Sequence, residues 1–278
     1  MVEIRNRINK ADFINFLKSL GIDVHLNTKA RGHQGFCTVK RIDISKDLEE
    51  EKVIDVLLHE FAHFVHFKLE PEIVKTDGTL EKLFNTNEKA ETNKIEKELS
   101  QITQFVFDNT QIRRLKAVKE NLAHKIKTER DIIKSAYPKY QAGKKFREFD
   151  KYIKHSNAKY LLKYDRVLIK GGWFNHDTTI SVKTVDFDFP SMPKEFCAYI
   201  KMKSYERHRN RINSRLSKIN RYLNRPTELF ARFFQFYCED KEAAENFAPT
   251  ATARFENLLN EKHYPVLNEF FEKIVTAE

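Results

Sequence analysis

A mainly helical α+β fold is expected of this 278-residue chain, and three observations carry that expectation. Only 7 Gly and 7 Pro interrupt it, so turn-forming residues are scarce. Long stretches place apolar residues at helical spacing, and two short runs near the start are rich in β-branched and aromatic residues. Taken in order, Phe13, Ile14, Phe16, Leu17 and Leu20 predict a first helix over 10–20 that Gly21 closes. The runs 22–27 and 35–45, separated by Gly32 and Gly35, predict two paired strands and hence a small N-terminal antiparallel sheet. Glu49, Glu50 and Glu51 then lead into an apolar helix over 53–69, their charge favoured by the positive end of the helix dipole. A polar helix is expected over 80–107, followed by one or two basic helices over 112–154 with a break at Pro138. Alternation around Gly171 and Gly172 predicts a hairpin within 167–190. A long basic helix should run from Pro193 to about Asn224, a new helix should start at Pro226, and a last one should cover 251–275.

No apolar stretch approaches the roughly 18 residues needed to span a bilayer. The N-terminus shows no small-residue cleavage site behind an apolar core, so a cytoplasmic location is expected. Cys37, Cys197 and Cys238 are odd in number and far apart, which fits free thiols better than a disulfide framework.

Charge is unevenly distributed. Between Thr110 and Arg225 there are 29 Lys and Arg against 11 Asp and Glu, a net of +18; the flanks hold the remaining 21 and 29, a net of −8. Such a basic segment attracts nucleic acid or other polyanions, or else forms Lys-rich solvated helices. Arg207, Arg211, Arg215 and Lys218 share one helical stripe from which Arg209 departs. Tyr205 and Tyr222 are the only aromatic residues close by, so weak, non-specific nucleic-acid binding is the most this stripe predicts.

The chemistry concentrates at His59-Glu60-Phe61-Ala62-His63. The i, i+4 spacing sets both imidazoles on one helix face, where they can share a Zn²⁺ ion, and it sets Glu60 off that face as the base for an attacking water. A His-Glu-x-x-His match arises by chance about 0.03 times in a chain of this composition. As a purely structural feature it would leave three polar groups half-buried among apolar neighbours with nothing to satisfy them.

Catalytic zinc takes three protein ligands, so one more is required. His66 points about 60° away from the His59–His63 line and is expected to pack or face solvent. Glu88 and Glu91 begin the next helix, but that helix is polar on most sides. Glu228 is a lone carboxylate in the first turn of a very apolar helix, where burial demands a partner; it is the favoured ligand, with Glu88 and Glu91 the alternatives. Asp55 is either an acid suited to the helix dipole or an acceptor for the second N–H of His59. Arg232 either steadies Glu228 or faces solvent.

His-Glu-Phe-Ala-His at 59–63 with Pro-Thr-Glu-Leu-Phe-Ala-Arg-Phe-Phe at 226–234 resembles the gluzincin metallopeptidases, in particular those of phages and mobile elements and the catalytic domain of the anthrax lethal factor group. The resemblance covers roughly 35–70 and 220–240. It implies a zincin-like fold and Zn²⁺ held by His59, His63 and Glu228. It further implies Glu60 as catalytic base, an edge strand near 36–44 to receive an extended peptide, and an oxyanion-stabilising tyrosine, for which Tyr222 is the nearest match. The expected layout is a catalytic domain made of 1–110 and 221–278, interrupted by a basic, mostly helical insertion over 111–220. The expected activity is zinc-dependent hydrolysis of peptide bonds in a peptide or protein substrate. Two rivals remain: a protease acting on DNA-bound proteins, and an inactive nucleic-acid-binding or interaction protein on a zincin scaffold.

Overall fold

The computed structural model describes residues 4–28, 34–71, 78–107, 110–171 and 176–276. The chain is mainly helical with a small mixed sheet, and it divides into two units, 1–108 with 220–278, and 109–219. No described helix is long and apolar enough to cross a membrane.

The first unit opens with α1 (Lys10–Ser19). Asn9 caps it by accepting from the amides of Ala11 and Asp12 at 2.8 and 3.3 Å, and Gly21 ends it at φ +79°. Three strands follow, β1 (Asp23–Thr28), β2 (Gly35–Thr38) and β3 (Arg41–Ser45), in the order β1-β3-β2. The sequence reading of 35–45 as a single strand is corrected here, because the chain turns at Val39 and Lys40 and pairs Cys37 with Ile42. The resulting alternation sends Ile42 and Ile44 into the core. β1 then takes the other edge of β3 and runs parallel to it, so the sheet is mixed rather than antiparallel and β2 is an edge strand. Next come α2 (Val53–Leu69), a single turn α3 (Leu80–Leu83) and α4 (Lys89–Val106). The one helix expected over 80–107 is interrupted because Asn85 takes φ +47°, a left-handed conformation that no helix can continue through.

The second unit contains α5 (Thr110–Ala136), α6 (Arg147–Ile153), the hairpin β4 (Arg166–Ile169) and β5 (Thr178–Ser181), α7 (Val185–Asp188) and most of α8 (Lys194–Leu223). Its core is its own, built from Ile126, Ile133, Phe146, Phe149, Phe196 and Ile200 among others. Gly172, an expected hairpin turn residue, lies outside the described residues. Asp165 ties the segment before β4 to α8, accepting from Ser204 Oγ at 2.5 Å, Arg207 Nη2 at 2.7 Å and His208 Nε2 at 2.7 Å. Its burial acts to raise the pKa, but these donors outweigh it and hold the carboxyl near 2.

α9 (Pro226–Glu239), α10 (Lys241–Phe247), α11 (Pro249–Asn260) and α12 (Pro265–Phe270) complete the first unit. The last helix expected over 251–275 is broken where Lys262 takes φ +59° and Pro265 supplies no amide to continue the ladder. α2 and α9 pack on one another at the centre. Phe61 of α2 meets Phe13, Phe16, Phe234 and Phe270 with ring centroids 5.2–6.2 Å apart, an aromatic knot that fixes the rotation of α2.

Candidate metal centre

α2 buries Leu57, Leu58, Phe61, Ala62 and Val65, and this leaves its remaining face to carry His59 and His63, each with a side chain 15% exposed. Their rings stand 4.9 Å apart at 83°. α9 begins at Pro226, so Glu228 falls in its first turn, where free amides and the helix dipole favour a negative charge. α9 buries nearly everything around that carboxylate, and only its 228 position is both acidic and turned to α2. Glu228 Oε2 lies 3.6 Å from His59 Nε2, and Oε1 lies 3.5 Å from His63 Nε2.

These separations are too long for hydrogen bonds. Each is close to the donor-to-donor edge of a tetrahedral site, about 3.4 Å for ligand bonds of about 2.1 Å, with the two histidines facing different oxygens of Glu228. The three ligand atoms all lie within 4.8 Å of one another. Glu228 Oε2 sits 2.9 Å from Arg232 Nη2 but accepts no aligned hydrogen bond, so a buried carboxylate oxygen retains capacity for a further partner. Two imidazoles and one carboxylate are a borderline-hard donor set that suits Zn²⁺.

Protonation states agree with this chemistry. His63 is pulled down to about 3, chiefly by burial and next by its neighbour His59, so its ring is neutral and its lone pair available. For Glu228 burial acts to raise the pKa, yet His59, His63 and Arg232 outweigh it and hold the carboxyl near 2, ionised at any ordinary pH. Glu60 is buried and driven the other way, to about 7, first by burial. The charge of Glu228 adds to that rise, while His59 and the nearby Cys37 amide oppose it. The two carboxyls are thus pushed in opposite directions by their surroundings.

Of the other residues singled out in the sequence, Tyr222, in the last turn of α8, reaches the site. Burial of its hydroxyl end, with the Glu228 charge beside it, raises its pKa. Glu88 precedes α4 as its cap residue and Glu91 sits in its first turn; neither joins the donor group. The buried carboxylate of α4 is Glu98, which accepts from the Ala251 amide at 2.9 Å. His66 is fully buried and meets Glu70 at 2.8 Å, a structural pair. Asp55 is taken by the Arg5 guanidinium rather than by His59. Arg232 is buried; besides its Glu228 pair it lies 5.7 Å from the Tyr222 ring and 5.8 Å from that of Phe107.

His59, Glu60 and Tyr222 line a cleft of about 670 Å³ between β2 and α9, with Val56, Val106 and Phe107 among its walls. Gly35 of β2 is the residue that sequence reasoning passed over. A Cβ there would lie 2.6 Å from Val56 Cγ1 and 2.8 Å from Glu60 Oε1, so the absent side chain is what makes room for the Glu60 carboxylate. A glycine inside a strand pattern is itself a signal of close backbone approach. Gly35→Ala is therefore expected to fold and bind metal normally while Glu60 is displaced. Any activity that uses the Glu60 carboxylate should fall about 10- to 100-fold with metal content unchanged, given that misplacing a catalytic group by about 1 Å costs on that scale. Zinc content and turnover on the same sample check it.

Compared with protein-family models, curated proteins and solved structures, the chain matches none.

Proposed function

We propose that the chain is a zinc-dependent metallopeptidase of the zincin class, with His59, His63 and Glu228 as the ligands and Glu60 as the base. One observation carries the reading: 164 intervening residues separate His63 from Glu228, yet their ligand atoms and that of His59 all lie within 4.8 Å of one another, on the scale of one metal ion's donor shell. Bound there, Zn²⁺ would supply Lewis-acid chemistry, polarising a scissile carbonyl and lowering the pKa of a water. Glu60 would take the proton from the attacking water and pass it to the leaving amine, seated in the space left at Gly35. Tyr222, on the wall of the same cleft, would donate to the developing oxyanion. The open edge of β2, beside Glu60, offers backbone groups to an extended peptide.

Metal removal tests the proposal. The purified protein should bind one Zn²⁺ per chain and cleave members of a random fluorogenic peptide library. A chelator should abolish cleavage, and stoichiometric zinc should restore it. Cleavage that survives chelation, or a protein that takes up no zinc, would reject the assignment.

A further inference from the structure

We propose that the second unit binds the phosphate backbone of double-stranded nucleic acid through a basic two-helix arm, made by the N-terminal half of α5 and the C-terminal half of α8. This goes beyond the peptidase reading and does not depend on it. The unit carries 27 Lys and Arg against 11 Asp and Glu, a net of +16, while the other unit has the remaining 23 and 29, a net of −6. The tyrosine that follows α5, Tyr137, stacks on Phe196 at 6.1 Å, and Lys125 lies over the Tyr205 ring at 5.7 Å. Positions descend along α5 as they rise along α8, so the helices run antiparallel. Continued at the same rise per residue, that pairing sets 113–119 level with 211–218.

Both stretches are exposed and one-signed. Arg113, Arg114, Lys116 and Lys119 on α5 and Arg211, Arg215 and Lys218 on α8 face solvent, and none of the seven is in an ion pair. No carboxylate occurs within 113–119 or 207–219. Arg211, Arg215 and Lys218 line a shallow groove of about 530 Å³ together with the neutral donors Asn210 and Ser214. The stripe expected from sequence loses one member. Arg207 is committed inside the unit, to Asp165 and to the carbonyls of Leu161 and Leu162.

The same residues choose among polyanions. A single strand is held by stacking its bases on aromatic rings, and neither stretch contains an aromatic residue. A membrane surface needs an apolar face beside the basic one, whereas the α8 stripe offers only Asn, Arg, Ser and Lys, with Val118 the one exposed large apolar residue within 113–119 and 207–219. A duplex backbone requires only a row of cations and hydrogen-bond donors, which bind it without reading sequence.

The test uses the full chain and a fluorescein-labelled 30-base-pair DNA duplex in anisotropy titrations. With about four phosphates neutralised, affinity should fall about 10²-fold between 50 and 200 mM salt. The variant R211E/R215E/K218E should lose nearly all binding, and R211Q/R215Q/K218Q should flatten the salt dependence without adding repulsion. A control with the same charge change elsewhere in the unit, K134E/K139E/K144E, should retain most of the affinity. No binding at 50 mM salt, equal loss in the control, or tighter binding to phosphatidylserine vesicles than to the duplex would each overturn the proposal.

Discussion

Glu60→Gln is expected to hold zinc as the wild type does and to hydrolyse peptides at least about 10²- to 10⁴-fold more slowly, the range a general base contributes. The substitution keeps shape. The Gln side chain still fits the space left at Gly35. Zinc is retained because residue 60 lies about 100° around the helix from residue 59, off the face that His59 and His63 share. Stability separates loss of catalysis from loss of fold. Burial lifts Glu60 from its ordinary 4.5 to about 7, so the ionised carboxylate destabilises the zinc-free fold progressively as pH rises from about 4.5 through 7. At pH 8 the zinc-free Gln variant should therefore melt no lower than the wild type, and above it if that cost is fully expressed. Turnover above a tenth of the wild-type rate, measured with zinc content matched, would remove Glu60 from the role of base.

What sequence could and could not foresee at this site follows the range of the interactions involved. The His59–Glu60–His63 face depends on helical period alone, and so it was legible. Glu228 was legible because a lone acid among Leu229, Phe230, Ala231, Phe233 and Phe234 cannot be buried without a partner. Features set by long-range pairing were not. Nothing in 35–45 shows that the chain doubles back at Val39, or that β1 joins β3 in parallel. The choice of Arg5 as the partner of Asp55 spans 50 positions and leaves no local trace. Arg232 was ambiguous for a different reason: its i, i+4 relation to Glu228 is equally compatible with a solvated pair, and only the packing of Phe107 and Tyr222 against it decides for burial.

Glu228→Ala should lower zinc affinity by well over 10²-fold, more than the 10- to 100-fold typical of losing an outer partner of a ligand. The readout is thermal. Wild type at a free zinc concentration a thousand times its dissociation constant should gain about 4 kcal/mol, seen as a rise in melting temperature. Glu228→Ala should show almost none of that rise, while Glu91→Ala, altered at the rejected position, should show all of it. The substitution also strands Arg232, and breaking a buried pair by removing one partner costs about 3–5 kcal/mol. The low end of that range is expected, because Arg232 keeps its 3.4 Å bond to the residue 228 carbonyl and its two ring contacts. Loss of zinc could then be mistaken for loss of fold. Glu228→Ala combined with Arg232→Met removes the stranded charge and keeps an apolar stem of similar reach. The double variant should recover most of the zinc-free stability lost by Glu228→Ala and none of the zinc response. A zinc-induced rise that returns in the double variant would mean that Glu228 shapes the site without binding the metal.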